Sequence, residues 1–139
     1  MTNVEQHFKR AAERFDSSPI SVQLGELAQK LMPELVLDSQ QHWLDFGAGT
    51  GVLSAPLAQL VQQVTALDTS AAMLEKLDSK GITNIRSLNQ DIFHGLPKQY
   101  HGVVSSMALH HVADIPALLA SLHDCLLPNG QIALIDLYA

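Results

Sequence analysis

Eight Lys and Arg residues against 14 Asp and Glu give this 139-residue chain a formal charge of −6, and 47% of its positions are hydrophobic. That is the composition of one soluble globular domain, long enough to bury on the order of two-thirds of its unfolded surface without metal or disulfide staples. The single cysteine, Cys125, excludes an internal disulfide, and apolar runs such as Ile132 to Leu137 fall far short of the ~18 residues a membrane span needs.

The N-terminus has an acidic-amphipathic pattern rather than that of a signal peptide, so a cytoplasmic location is expected. With no basic cluster beyond Lys9-Arg10, the chain has no electrostatic footprint for nucleic acid, and neither nucleic acid nor membrane is an expected partner. The first forty residues read as two helices, because Val4, Phe8, Ala11, Ala12 and Phe15 recur at helical spacing, as do Ile20, Leu24, Leu27, Ala28 and Leu31. Ser18-Pro19 between them is an N-cap followed by a first-turn proline.

From His42 onward short apolar strands alternate with amphipathic helices, the pattern of parallel strands joined by helical crossovers. Strands are expected near 42–46, 64–68, 85–89, 102–106 and 131–137. Between the first two, Leu53, Leu57, Leu60 and Val61 form one face of a helix that begins at about Val52 and carries Pro56 in its opening turn. Met73, Leu74 and Leu77 mark a short helix ending near Gly81. Asp114 caps a last helix whose Leu118, Leu119, Leu122 and Leu126 face the sheet, and Pro128-Asn129-Gly130 turns the chain into the final strand.

The most informative segment is Trp43-Leu44-Asp45-Phe46-Gly47-Ala48-Gly49-Thr50-Gly51, a strand running into three alternating glycines and then a helix. Such a turn demands positive φ angles, and a Cβ would block a ligand from lying against the backbone. A tight strand-to-helix turn with no ligand can also carry glycine. The spacing is G-x-G-x-G, whereas the dinucleotide fingerprint G-x-G-x-x-G would put its third glycine at Val52. A Walker loop is excluded because no Lys-Ser or Lys-Thr follows.

Asp45 stands two residues ahead of the first glycine, where a carboxylate would meet a cationic group rather than a pyrophosphate. Asp68 lies 21 residues after Gly47 at the end of the second strand, where an acid can accept hydrogen bonds from both ribose hydroxyls. Asp91 closes the next strand region. Each alone could be a helix cap or a solvated acid; together they line up along the carboxyl edge of one sheet.

At these residues the sequence resembles the class I S-adenosylmethionine-dependent methyltransferases, and more closely the type-11 methyltransferase group. The resemblance covers about residues 45–139 in ordered parts. Asp45 to Gly51 is similar to the first family motif, Leu67-Asp68-Thr69-Ser70 with Met73-Leu74 to the next, and Asn89-Gln90-Asp91-Ile92 to the third. Ser105 to Val112 is similar to the segment after the fourth strand, and Leu126 to Leu137 to the helix end and fifth strand. Phe8 to Asp16 loosely resembles the N-terminal helical lid of some relatives.

The resemblance implies S-adenosyl-L-methionine as cofactor, S-adenosyl-L-homocysteine as its product, and a small-molecule methyl acceptor. It implies that Gly47, Ala48, Gly49 and Gly51 bring backbone against the methionine part, with Asp45 helping to hold its amino group. Asp68 would bind the ribose hydroxyls and Asp91 the adenine amino group, with Ile92 and Thr69 or Met73 packing on the ring. Ser106 and Met107 would line the methyl end. A sulfonium nucleoside without phosphate needs carboxylates and apolar faces rather than Lys and Arg, which agrees with the charges read above.

His110-His111 invite a catalytic or a metal reading. No H-x-x-x-H or Cys partner at diagnostic spacing supports a metal, so none is expected; a catalytic or acceptor-lining role and simple packing stay open. Cys125, on the apolar face of its helix, reads as a core residue.

The expected fold is an α/β, Rossmann-like doubly wound parallel sheet in the order 3-2-1-4-5, with its ligand at the switch point between strands one and four. Residues 1–40 are expected to form a helical lid segment and 41–139 the cofactor-binding domain, within one compact unit. The resembled family continues past its fifth strand with a helix and an antiparallel strand pair, so a chain truncated after that strand is implied. Its apolar last strand could then drive homo-oligomerisation. Two alternatives remain: a non-catalytic adenosine-ligand-binding or interaction domain, and a nicotinamide-dependent oxidoreductase, which Val52 disfavours.

Overall fold

A strand buried on both faces has no polar side to show to water, so its residues run apolar without alternation. Trp43, Leu44 and Phe46 fit that description at the centre of the sheet. The computed structural model describes Arg14 and residues 17–96, 98–106 and 113–135. In chain order the elements are α1 (Pro19–Leu31), a 3-10 turn (Met32–Glu34), β1 (His42–Phe46), α2 (Ser54–Ala58), β2 (Gln63–Asp68) and α3 (Ala71–Asp78). There follow β3 (Ile85–Asn89), a second 3-10 turn (Ile92–His94), β4 (Tyr100–Ser106), α4 (Ile115–Asp124) and β5 (Leu126–Ile135).

All four strand pairings are parallel, and the sheet order is β3-β2-β1-β4-β5, as the sequence leads one to expect. Successive residues alternate between two cores. Trp43, Val64 and Val104 face Ala28 of α1, Leu57 of α2 and Val61, while Leu44, Leu67 and Val103 face Leu118 and Leu122 of α4 with Cys125. Ala66 meets Leu74 and Leu77 of α3 in a third, smaller cluster on the α1 side. Two helix caps follow the sequence, the Ser18 side chain accepting from Ser21 N–H and Asp114 from Ala117 N–H, and the structure adds a third, Ser70 accepting from Met73 N–H.

Several details differ from the sequence reading. The helix after β1 has five residues and begins at Ser54, because turns occupy residues 51–53. Leu60 therefore lies past the end of α2 and is exposed rather than facing the sheet. Leu119 is exposed as well, since the inward stripe of α4 is Leu118 and Leu122 and the next residue is rotated ~100° away. Leu126 belongs to β5, where it pairs with Tyr100, and Tyr100 N–H donates to Cys125 O at 2.7 Å. Pro128-Asn129-Gly130 is consequently a bulge inside β5, with Asn129 at φ 66°, and not a turn ahead of it. The expected first helix, with Val4 to Phe15, lies outside the described residues except for Arg14. No helix among the described residues is long and apolar enough to cross a membrane.

The β1–β4 seam explains one glycine. Gly102 stands opposite Trp43, and a Cβ there would run into the indole ring. Gly102→Val should therefore cost about 1–3 kcal/mol through overpacking, and Trp43→Ala about 3–5 kcal/mol through the cavity it leaves. Urea unfolding curves check both, with a lowered midpoint as the expected result.

Candidate functional site at the sheet switch point

The chain leaves β1 towards β2 on one side, while β4 lies on the other, so the loops after these two strands diverge and open a crevice. Phe46 and Ser105 are partners across the seam, and the buried Ser105 hydroxyl donates to Phe46 O at 2.8 Å. That bond holds the two strand ends together where the crevice begins. The cleft measures about 760 Å³, within the range of small-molecule sites.

The glycine loop continues the sheet before it turns. Ala48 N–H donates to Leu67 O at 2.9 Å, and Gly49 N–H donates to Asp68 Oδ2 at 2.8 Å. Asp68 Oδ1 accepts from Ser70 N–H at 2.8 Å, so one carboxylate orders both the glycine loop and the turn into α3. Gly49 sits at φ 57° with open space where a Cβ would project, leaving its backbone accessible. Gly51, at φ 91°, is needed for packing: a Cβ there would collide with the Leu77 side chain of α3.

Of the residues singled out in the sequence, Gly47, Ala48, Gly49, Asp68, Thr69, Met73, Asp91, Ile92 and Ser106 all line this one cleft. Asp45 and Gly51 do not. Met107, His110 and His111 lie outside the described residues. Asp91 caps the 3-10 turn at 92–94, its Oδ1 accepting from Phe93 N–H at 2.7 Å. Sequence reasoning missed Ile20 and Leu24 of α1, Val52, Gln90, Phe93 and Asp114 as lining residues. Gln90 lies within the motif around Asp91 and Phe93 directly follows it, so both could have been found there; nothing in the helical pattern tells which end of the sheet α1 covers.

The cleft carries three carboxylates, Asp68, Asp91 and Asp114, and none of its described lining residues is Lys or Arg. It therefore suits a cationic or neutral ligand and opposes a phosphate. Among the described residues no group of three His, Cys, Asp or Glu side chains could hold a metal ion.

Asp45 lies one layer below. Only 1% of it is exposed, its Oδ2 accepts from Ser54 Oγ at 2.6 Å, and its Oδ1 has no partner. Burial pushes its carboxyl up to about 7; the Ser54 hydrogen bond opposes that rise, and the charge of Asp68 adds to it.

A family model described as a methyltransferase domain matches residues 11–139. The chain is 35% identical over 108 residues to an uncharacterized methyltransferase of Mycobacterium tuberculosis, covering 76% of this chain and 55% of that protein. It is 40% identical over 92 residues to the trans-aconitate 2-methyltransferase of Deinococcus radiodurans, covering 65% of this chain and 35% of that one. The chain thus spans about half, or less, of the length of these curated relatives. Among solved structures it resembles DhpI in complex with SAH, with a TM-score of 0.80 at 25% identity over 97% of this chain and 68% of that one. DhpI in complex with SAM and HEP gives 0.79 at 25% identity, over 96% of this chain and 64% of that one.

The buried Asp45 carboxyl makes stability depend on pH. Folding raises its affinity for the proton, so the stability it contributes is present at acidic pH and is lost as pH rises through the window from about 4 to about 7. Asp45→Asn keeps an acceptor for Ser54 and removes the charge. It should stabilise the fold by about 2–4 kcal/mol at pH 8 and by little at pH 4, as read from chemical denaturation at the two pH values.

Proposed function

Because the chain belongs to the methyltransferase-domain family, we propose that its cleft binds S-adenosylmethionine and serves methyl transfer to a small-molecule acceptor. One observation carries the reading: an open glycine loop and the acids Asp68 and Asp91 line a single switch-point cleft whose described lining has no cation. The residues fit the group, since a sulfonium nucleoside brings positive charge, hydroxyl and amino donors and a flat ring, and no phosphate.

In this reading the backbone at Gly47 and Gly49 receives the methionine part, with Ala48 beside it. Asp68 already accepts one backbone N–H on each carboxylate oxygen, which fixes its orientation and leaves a lone pair on each for a ribose hydroxyl. Asp91 holds the adenine amino group, and Ile92, Thr69 and Met73 supply ring contacts. Asp45 acts from beneath the loop: once ionised, its carboxylate favours positive charge in the cleft above. Ser106 stands at the methyl end, where Met107 joins it from sequence position alone; His110 and His111 enter, on the same ground, as catalytic or acceptor-lining residues.

When bound, S-adenosylmethionine supplies the methyl carbon, whose bond to sulfur breaks as the bond to the acceptor's lone pair forms, leaving S-adenosylhomocysteine. The protein's work is alignment and the exclusion of water. Ile20 and Leu24 of α1 form part of the cleft wall, which supports assigning residues 1–40 as a lid segment over the domain at 41–139. The exposed Ile132 and Leu134 of β5 mark the surface this reading assigns to self-association.

S-adenosylmethionine or S-adenosylhomocysteine at ~100 times its Kd should stabilise the fold by roughly 2.7 kcal/mol, a rise of several degrees in Tm, with no such rise for NAD. A folded sample that shifts with neither methyl-cycle compound would overturn the reading, and a larger shift with NAD would favour an oxidoreductase. Asp68→Ala removes charge-assisted hydrogen bonds of ~1.5–3 kcal/mol, so affinity by calorimetry should fall roughly ten- to hundredfold.

A further inference from the structure

A second cavity, of about 320 Å³, lies on the sheet away from the cleft and shares no lining residue with it. It is lined by Gln63, Thr65, Arg86, Ser87, Leu88 and Lys98, from β2, β3 and the segment leading into β4. Thr65 is three residues before Asp68 on β2, so its floor sits about 10 Å along the strand from the cleft's carboxylate.

The charges here are opposite to those of the cleft. Among the described residues Arg86 and Lys98 line the cavity, no acid does, and neither cation has an ion-pair partner. Outside the lining, Asp78 of α3 accepts from Ser87 Oγ at 3.1 Å.

Lys98 is held rather than loose. Its Nζ donates to Gln63 Oε1 and to His42 Nδ1, each at 2.6 Å, and lies 5.8 Å from the centre of the Tyr100 ring. Burial lowers the pKa of this ammonium, and the neighbouring Arg86 charge lowers it further. Beneath it are buried hydroxyls: Thr65 is 4% exposed, and the enclosed Tyr100 hydroxyl neighbours the Thr65 side chain. Two converging cations over a hydroxyl-bearing floor create an uncompensated positive site, and a compact dianion would relieve the repulsion between them.

We propose that this cavity is a second ligand site, separate from the cofactor cleft, that takes a phosphate group between Arg86 and Lys98. Arg86 supplies a planar fork that suits two phosphate oxygens, Lys98 a tethered point charge, and the Thr65 hydroxyl a donor from the floor. The phosphate can be free or carried on a small metabolite, and the cavity exceeds what inorganic phosphate alone fills.

The test is an amide-detected NMR titration of the intact chain at constant ionic strength, with inorganic phosphate in one arm and glycerol 3-phosphate in the other. Saturating shifts at Arg86, Ser87 and Lys98 are expected, weakened roughly tenfold or more in Arg86→Gln, an exposed position whose change leaves the fold intact. Tighter binding of glycerol 3-phosphate identifies a phosphorylated metabolite as the ligand, and equal binding identifies free phosphate. Lys98→Met provides a second variant with the same expected loss. The thermal shift with S-adenosylmethionine should be unchanged in Arg86→Gln, so the two sites succeed or fail separately. Shifts that never saturate, or that are the same in Arg86→Gln as in the parent chain, would overturn the proposal.

Discussion

The Asp68 carboxylate is the contact on which the functional end of the molecule depends. Its two oxygens accept from Gly49 N–H and Ser70 N–H, so a single side chain at the end of β2 closes the loop after β1 and opens α3. A carboxylate accepting two backbone N–H groups is oriented without using all its lone pairs. The loop gains a fixed shape, and the cleft gains an acceptor whose direction is set before any ligand arrives. The Ser105 hydroxyl does the matching task on the other side of β1 by tying β4 to the Phe46 carbonyl.

Beneath that frame sits a destabilising feature. Asp45 is enclosed at the end of the central strand, with one oxygen bonded to Ser54 and the other unpartnered. Burying an ionisable group without full compensation costs stability, and it raises the affinity for a proton in proportion. A core position at this depth would be more stable with an apolar residue of similar size. Under the proposed function the acid has a purpose there, since negative charge below the glycine loop favours a cation above it.

The distribution of charge separates two environments along one sheet. The carboxyl edge collects Asp68, Asp91 and Asp114 around an apolar cleft, while the cavity over β2 and β3 collects Arg86 and Lys98. Net charge alone conceals this, because −6 is a sum and recognition depends on where the charges converge. Lys98 and Arg86 are 12 residues apart in sequence and meet because the chain returns from β3 to β4 across the sheet face.

Much of this was legible in the residues. The apolar runs at 42–46 and 64–68 mark strands buried on two faces, the alternation with helices dictates parallel pairing, and Ser18 and Asp114 announce helix starts; these are local effects of side-chain period and backbone hydrogen bonding. Gly47 to Gly51, Asp68 and Asp91 mark the cleft because loops at strand ends converge at a switch point whatever their sequence separation. What required the tertiary structure is everything set by packing between distant segments. The burial of Asp45 follows from α2 lying over it, the need for Gly51 from Leu77 of α3, and the need for Gly102 from the Trp43 ring. The bulge at Asn129 and the strand pairing of Leu126 follow from the β4 ladder, which competes with the end of α4 for those backbone groups. The placement of Ile20 and Leu24 in the cleft wall follows from where α1 docks. Periodicity tells which face of a helix is buried, and only the completed sheet decides what that face is buried against.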